Sequence, residues 1–168
     1  EVAVFPPFTD LRSVQTLLAA DKLALRLGAQ DVSPHISGAY TGDVSAQFLS
    51  KLETRYVLVG HSERRHGHGE GNEIVAAKAR AVATHNMVPV ICVGETAADL
   101  EEQGAAAVPL AQLEAALASL PKDAAFVIAY EPVWAIGSGE PATSEQAESV
   151  CAALRNSIAE LRGAKVAA

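Results

Sequence analysis

Five short apolar runs, at residues 2–5, 23–27, 56–59, 88–93 and 125–130, punctuate the chain, and each is followed by a segment with helix-like character. From the second run onward the starts recur about every 34 residues, the length of a strand, a crossover helix and two turns. Strands joined by such crossovers lie parallel, because the helix returns the chain to the end from which it started. The stretches "YVLVG", "VPVICVG" and "AFVIAY" are almost continuously apolar, so these strands are expected to be covered on both faces. After the third run comes "EGNEIVAAKARAVATHN" and after the fourth "TAADLEEQGAAAVPLAQLEAALASL", both with apolar residues spaced by three and four. The expectation is an α/β chain with one parallel sheet and a single domain over residues 1–168, since no repeat, linker or charge block divides it. The G-x-G-x-x-G turn that would favour a doubly wound sheet is absent after the first run, which leaves an eightfold barrel as the better fit.

Charge narrows the partners. With 13 Lys and Arg against 20 Asp and Glu, the net charge of −7 argues against a nucleic-acid footprint. A small anion remains compatible, because backbone amides or one lysine can hold a phosphate inside an acidic protein. No apolar run approaches the roughly 20 residues that cross a bilayer, so no membrane partner is expected. Cys92 and Cys151 have no metal-like spacing and suggest no disulfide framework, which points to a reduced, cytoplasmic compartment. The opening "EVAVFPPF" begins inside a strand-like run without a methionine and reads as the start of a fragment.

Polar residues stand just beyond the apolar runs: His61 and Ser62 after "VLVG", Glu95 after "ICVG", and Glu131 after "VIAY". In α/β barrels the carboxyl ends of several strands converge on one mouth, so this placement marks a candidate site. Glu131 would serve equally as a helix cap or a partner for lysine, but the residues after it favour chemistry. Pro132, Val133 and Trp134 are stiff and bulky, while Gly137, Ser138 and Gly139 are small and pliable, as in a hinged lid that excludes water. Downstream, "ATSEQAESVCAALRNSIAEL" reads as a capped amphipathic helix. A lone histidine is most often a core residue satisfied by backbone. His61, however, precedes "SERR", and a helix there would favour a neutral ring able to donate a hydrogen bond. A neutral donor facing a carboxylate base is an arrangement for enolising a carbonyl compound. The cluster "HSERRHGHGE" also offers His61, His66, His68, Glu63 and Glu70 to a metal, yet His66 and His68 lie among glycines in an expected loop, so no metal is assigned. Arg64 and Arg65 are expected at the surface or an interface, with a mouth salt bridge from Arg64 to Glu95 as one option, and Cys92 in the core.

The stretches "YVLVGHSERR", "VICVGET", "AYEPVWAIGSG" and "GAQDVSPHISGAYTGDVS" resemble the triosephosphate isomerase family along essentially the whole chain. The resemblance implies a (β/α)8 TIM barrel of which the chain covers about five of eight βα units, and interconversion of dihydroxyacetone phosphate and glyceraldehyde 3-phosphate through an enediol. This enzyme is itself a standard example of acid/base tuning by a glutamate and a neutral histidine. By resemblance Glu131 is the base, His61 the electrophile on the substrate carbonyl, and Glu63 an acidic neighbour. Pro132, Val133, Trp134, Ala135, Ile136, Gly137 and Ser138 match the closing lid, with Gly137 and Ser62 as substrate-binding positions. "ISGAYTGDVS" matches the loop by which one subunit enters another, with Thr41 and Gly42 at its tip, and so implies a homodimer. No cofactor and no metal are implied.

The chain departs from the family's usual pattern at Ser138, where threonine is common, at Gly67, where an aromatic is usual, and at Ile36, where a polar residue is typical. The resemblance runs from the family's second strand to its sixth helix. The first strand, with its asparagine and phosphate-binding lysine, and the glycine-rich ends of strands seven and eight lie outside it. A closed barrel needs roughly 250 residues, so the chain by itself is expected to be inactive. The alternative reading is a catalytically silent barrel fragment that acts as a folding or interaction module.

Overall fold

The computed structural model describes residues 1–167. Five strands, β1 (Val2–Val4), β2 (Leu25–Ala29), β3 (Tyr56–Val59), β4 (Val88–Val93) and β5 (Val127–Tyr130), form one sheet in the order β1-β2-β3-β4-β5. Every neighbouring pair is parallel. A doubly wound sheet reverses its strand order at a switch point; this one runs straight through, as a TIM barrel does, and makes five of the eight units of a (β/α)8 barrel.

Helices α1 (Leu11–Ala20), α2 (Ala46–Lys51), α3 (Ser62–Gly67), α4 (Asn72–Thr84), α5 (Ala97–Gln103) and α6 (Ala107–Ser119) lie in the connections, and α7 (Ser144–Arg162) and α8 (Ala164–Ala167) follow β5. All six residues of β4 are buried, the pattern of a strand covered on both faces. Against it lie Val75, Ala79 and Val82 of α4 and Leu113, Ala116 and Leu117 of α6, spaced to share one helix face. Pro89 is tolerated in this central strand because pairing with β5 begins only at Val90. Val150, Leu154 and Ile158 give α7 a buried stripe, and the helix is fixed at its start by a capping box between Thr143 and Gln146.

The sequence reading misplaced some boundaries. The second strand lies two residues later than expected, at Leu25–Ala29 rather than 23–27, because Leu23 is exposed while Gly28 and Ala29 are buried. Gly28 carries no apolar signal, yet the Phe5 ring occupies the place its Cβ would take, at 2.3 Å, so the absent side chain is what lets β2 lie under Phe5. A long loop, not a helix, follows β2, and α2 begins only at Ala46. The fifth strand starts at Val127, with Phe126 turned partly into the core before it. The helical stretch after β4 is two helices, broken at Gly104 with φ of 80°, where the chain turns sharply enough to lay α6 against α4.

Candidate active site

β3 and β5 set the site. Buried Val57 and Val59 anchor β3, and Gly60, at φ 73°, turns the chain so that His61 caps α3. At the end of β5 the Glu131 N–H donates to the Val93 carbonyl at 2.9 Å. A Cβ on Gly94 would sit 1.9 Å from the Glu131 carbonyl oxygen, so only glycine lets the two strand ends approach this closely. Gln112 of α6 secures the same point, accepting from the Gly94 N–H at 2.8 Å and donating to its carbonyl at 3.2 Å.

The Glu131 carboxylate, 17% exposed, faces the first turn of α3. Oε1 accepts from the Ser62 N–H at 2.7 Å and Oε2 from the Ser62 hydroxyl at 3.0 Å. His61 Nε2 lies 3.5 Å from Oε2. His61 Nδ1 accepts from the Glu63 N–H at 3.3 Å, and a ring nitrogen that accepts carries no proton. In this arrangement a neutral ring holds its proton on Nε2, on the side of Glu131. The structure therefore brings Glu131, His61 and Ser62 together. Glu63 contributes its main-chain amide, while its carboxylate is 90% exposed and only within 4.0 Å of Nδ1. A cavity of about 470 Å³, bounded by Phe5, Gln30, Leu58, His61 and Arg64, opens beside this group.

The expected lid divides into a fixed and a free half. Val133–Ala135 form a 3-10 turn, and the Trp134 indole donates to Glu95 Oε1 at 2.7 Å, as does the Tyr130 hydroxyl at 2.9 Å. Glu95 is fully buried, and the burial of Tyr130 itself, with the hydrogen bond to Glu95 and its negative charge, pushes the Tyr130 hydroxyl above its usual range. Ile136, Gly137 and Ser138 are exposed, and Gly137 and Gly139 have φ of 74° and 82°. Ser138 donates to the Ala135 and Glu140 carbonyls, so the hydroxyl it shares with threonine does the bracing. Glu95 as the anchor of Trp134 was missed in the sequence, because an indole donor and its acceptor 39 residues apart leave no local signal.

Thr41 and Gly42 lie exposed on a loop that folds on itself. Ser33 donates to Asp43 at 2.5 Å and to the Val44 carbonyl at 2.8 Å, and His35 stacks on Tyr40 with centroids 3.7 Å apart.

The basic cluster differs from expectation. Arg64 does not reach Glu95; it pairs with Asp31 at 3.0 Å and Glu70 at 2.7 Å. Lys78, buried on α4, joins the same two carboxylates at 2.7 and 2.6 Å. Two cations thus neutralise two carboxylates, a match that sequence spacing did not reveal. Burial alone would raise the Glu70 carboxyl, but the bonds from Arg64 and Lys78 outweigh it and hold it below the usual range. Its contribution to stability is therefore complete above about pH 4.5 and is lost as pH falls through the lower folded value. Lys78→Met, which leaves two buried carboxylates to one arginine, is expected to destabilise by about 3–5 kcal/mol in a denaturant titration. A loss below about 1 kcal/mol would mean that the network is solvated.

Arg65 is not a surface charge either: its guanidinium turns inward to main-chain carbonyls. His66 lies in α3 rather than in a loop, and His68 caps it. Among the described residues no three His, Cys, Asp or Glu side chains gather closely enough to hold a metal ion. Cys92 is buried in β4, as expected, and burial with the nearby Glu131 charge pushes its thiol up to about 12. Among the described residues no helix is long and apolar enough to cross a membrane.

The model of the triosephosphate isomerase family matches residues 1–168. A triosephosphate isomerase of Leifsonia xyli subsp. xyli is 65% identical over 168 residues, covering 100% of this chain and 65% of the relative. Those of Corynebacterium diphtheriae and Mycobacterium tuberculosis are 54% and 53% identical over 169 residues, each covering 99% of this chain and 65% of the relative. The chain thus spans about 65% of the length of the curated relatives it matches.

Proposed function

The chain belongs to the triosephosphate isomerase family, and on that premise we propose that it supplies the base, the electrophile and the lid of an enzyme interconverting dihydroxyacetone phosphate and glyceraldehyde 3-phosphate. The observation that carries this reading is the 3.5 Å approach of His61 Nε2 to a Glu131 carboxylate at the converging ends of β3 and β5. Glu131 removes a proton from the carbon beside the carbonyl while His61 donates from Nε2 to the carbonyl oxygen. The enediol collapses when Glu131 returns its proton to the neighbouring carbon while His61 recovers one from the hydroxyl on the other carbon, which becomes the new carbonyl. Hydrogen moves within one substrate and no net redox change occurs, so the step calls for no cofactor.

Both carboxylate oxygens of Glu131 are engaged by Ser62, so the base must leave that dock to reach a substrate carbon. Lid closure is the natural trigger, because Glu131 is joined directly to Pro132. Gly137, exposed at the free end of the lid, offers its amide to the substrate phosphate. Glu63 assists through the amide that fixes the His61 tautomer. The self-folded loop carrying Thr41 and Gly42 suits insertion into a second copy, giving a homodimer, and the free thiols Cys92 and Cys151 suit a cytoplasmic location.

The test is a complete-barrel chimera in which residues 1–168 replace the matching span of the Leifsonia xyli relative. Isomerase turnover is expected; a folded chimera without it would overturn the reading. A phosphate-bearing inhibitor is further expected to shift the emission of Trp134, with its Phe variant as control, and to protect residues 132–139 from proteolysis. Indifference of both signals to an inhibitor shown by calorimetry to bind would remove the lid from the scheme.

A further inference from the structure

Arg65 stands one turn into α3, yet its guanidinium folds back beneath the site. Nε donates to the Gly60 carbonyl at 2.7 Å, Nη2 to the Cys92 carbonyl at 3.2 Å, and Nη1 to the Asn72 side chain at 2.9 Å. Gly60 directly precedes His61. Cys92 directly precedes Val93, whose carbonyl receives the Glu131 N–H. One planar fork therefore ties the main-chain segments that present the two reacting side chains. The fit is built in, because a Cβ on Gly60 would meet Nη2 at 2.8 Å.

Carbonyls are an uncommon full set of partners for a guanidinium. Among the described residues no carboxylate comes within ion-pair distance of Arg65, although the Arg64 guanidinium next to it has two. Burial lowers the Arg65 pKa from its usual value, while the negative charges of Glu131 and Glu70 act the other way. A cation held in partial burial without a direct counter-ion is a cost to folding, and a core built for stability alone would not keep it.

We infer that Arg65 is a positioning residue for the proposed isomerisation, setting the separation of His61 and Glu131 by clamping the Gly60 and Cys92 carbonyls. The inference rests on the proposed function for its kinetic consequence and on the bond pattern alone for its structural one. Arg65 has no bond to a lid residue, so it should act on the chemical step rather than on binding. Lysine keeps the charge but is a single-point donor, unable to reproduce the planar fork.

In the complete-barrel chimera, Arg65→Lys is expected to lower kcat about tenfold and Arg65→Ala on the order of a hundredfold, with KM changed less than about threefold. Millimolar guanidinium should restore part of the kcat of Arg65→Ala and none of that of Glu131→Gln. Nitrogen NMR of the His61 ring gives a readout that needs no turnover: both Arg65 variants should shift its Nε2 and Nδ1 resonances. Wild-type kcat in folded Arg65→Lys overturns the inference, as does a KM rise equal to or larger than the kcat loss. If the parent chimera is itself inactive, the proposed function fails while the ring spectrum still decides on Arg65: unchanged His61 resonances overturn the clamp, and shifted ones support it.

Discussion

Glu131→Gln in the complete-barrel chimera is expected to lower turnover on the order of a hundredfold or more while changing KM little. The substitution keeps the volume of the side chain and the backbone contact at Gly94, so the strand end should not move. What it removes is a proton acceptor. It also disturbs the dock, because Ser62 presents two donors to Glu131 and a glutamine has a single acceptor oxygen to offer. Loss of that bond weakens the resting position rather than the working one, so it does not compensate for the missing base. Steady-state kinetics in both directions, with a stability measurement alongside, separate the outcomes. Near-normal turnover by the Gln variant would take Glu131 out of the mechanism, and a large KM rise with unchanged kcat would recast it as a binding group.

The parallel sheet was legible because its strands are apolar on both faces and its crossovers have a regular length. β3 and β4 fall at the expected residues, Tyr56–Val59 and Val88–Val93, since each is an unbroken apolar run bounded by turn formers. β2 was less legible because it ends in glycine and alanine, and the burial of Gly28 depends on what lies above it, here the Phe5 ring. The break at Gly104 was hidden by alanines that suit a continuous helix.

At the site, His61, Ser62 and Glu131 were found from their place at strand ends, a rule that needs no tertiary detail. The bond from Trp134 to Glu95, the pairing of Lys78 with Asp31 and the inward turn of Arg65 were not. Each depends on which of several nearby charges a side chain selects, and that choice is made by burial and by carbonyl positions in space. Arg64 and Arg65 make the point: adjacent in sequence and identical in type, one joins carboxylates and the other joins backbone.

A polypeptide consisting of residues 1–168 alone is expected to show negligible isomerase turnover and to aggregate or to be only marginally stable. In the structure β1 and β5 are each paired on one side, so a row of backbone donors and acceptors stays open at both edges. Their side chains are open as well: Val2 is 60% and Val127 44% exposed, whereas every residue of β4 is buried. In a closed barrel further strands would take up both edges, and the interior would be covered. The phosphate would also lack partners. In the proposed scheme Gly137 supplies one amide on the lid, but the lysine and glycine-rich turns that the family resemblance assigns to phosphate binding fall outside these residues, and remote binding energy is what would close such a lid and orient the reacting carbon. Both defects have one remedy, because the strands that seal the edges also carry those groups. Adding a separately made polypeptide with the remaining segments of the Leifsonia xyli relative should therefore raise solubility and turnover together. Sedimentation and an isomerase assay on a sample of verified 17.5 kDa mass decide the matter. A monodisperse and fully active sample would show that five strands suffice for this site, and solubility regained without turnover would show that edge pairing and phosphate binding are separable.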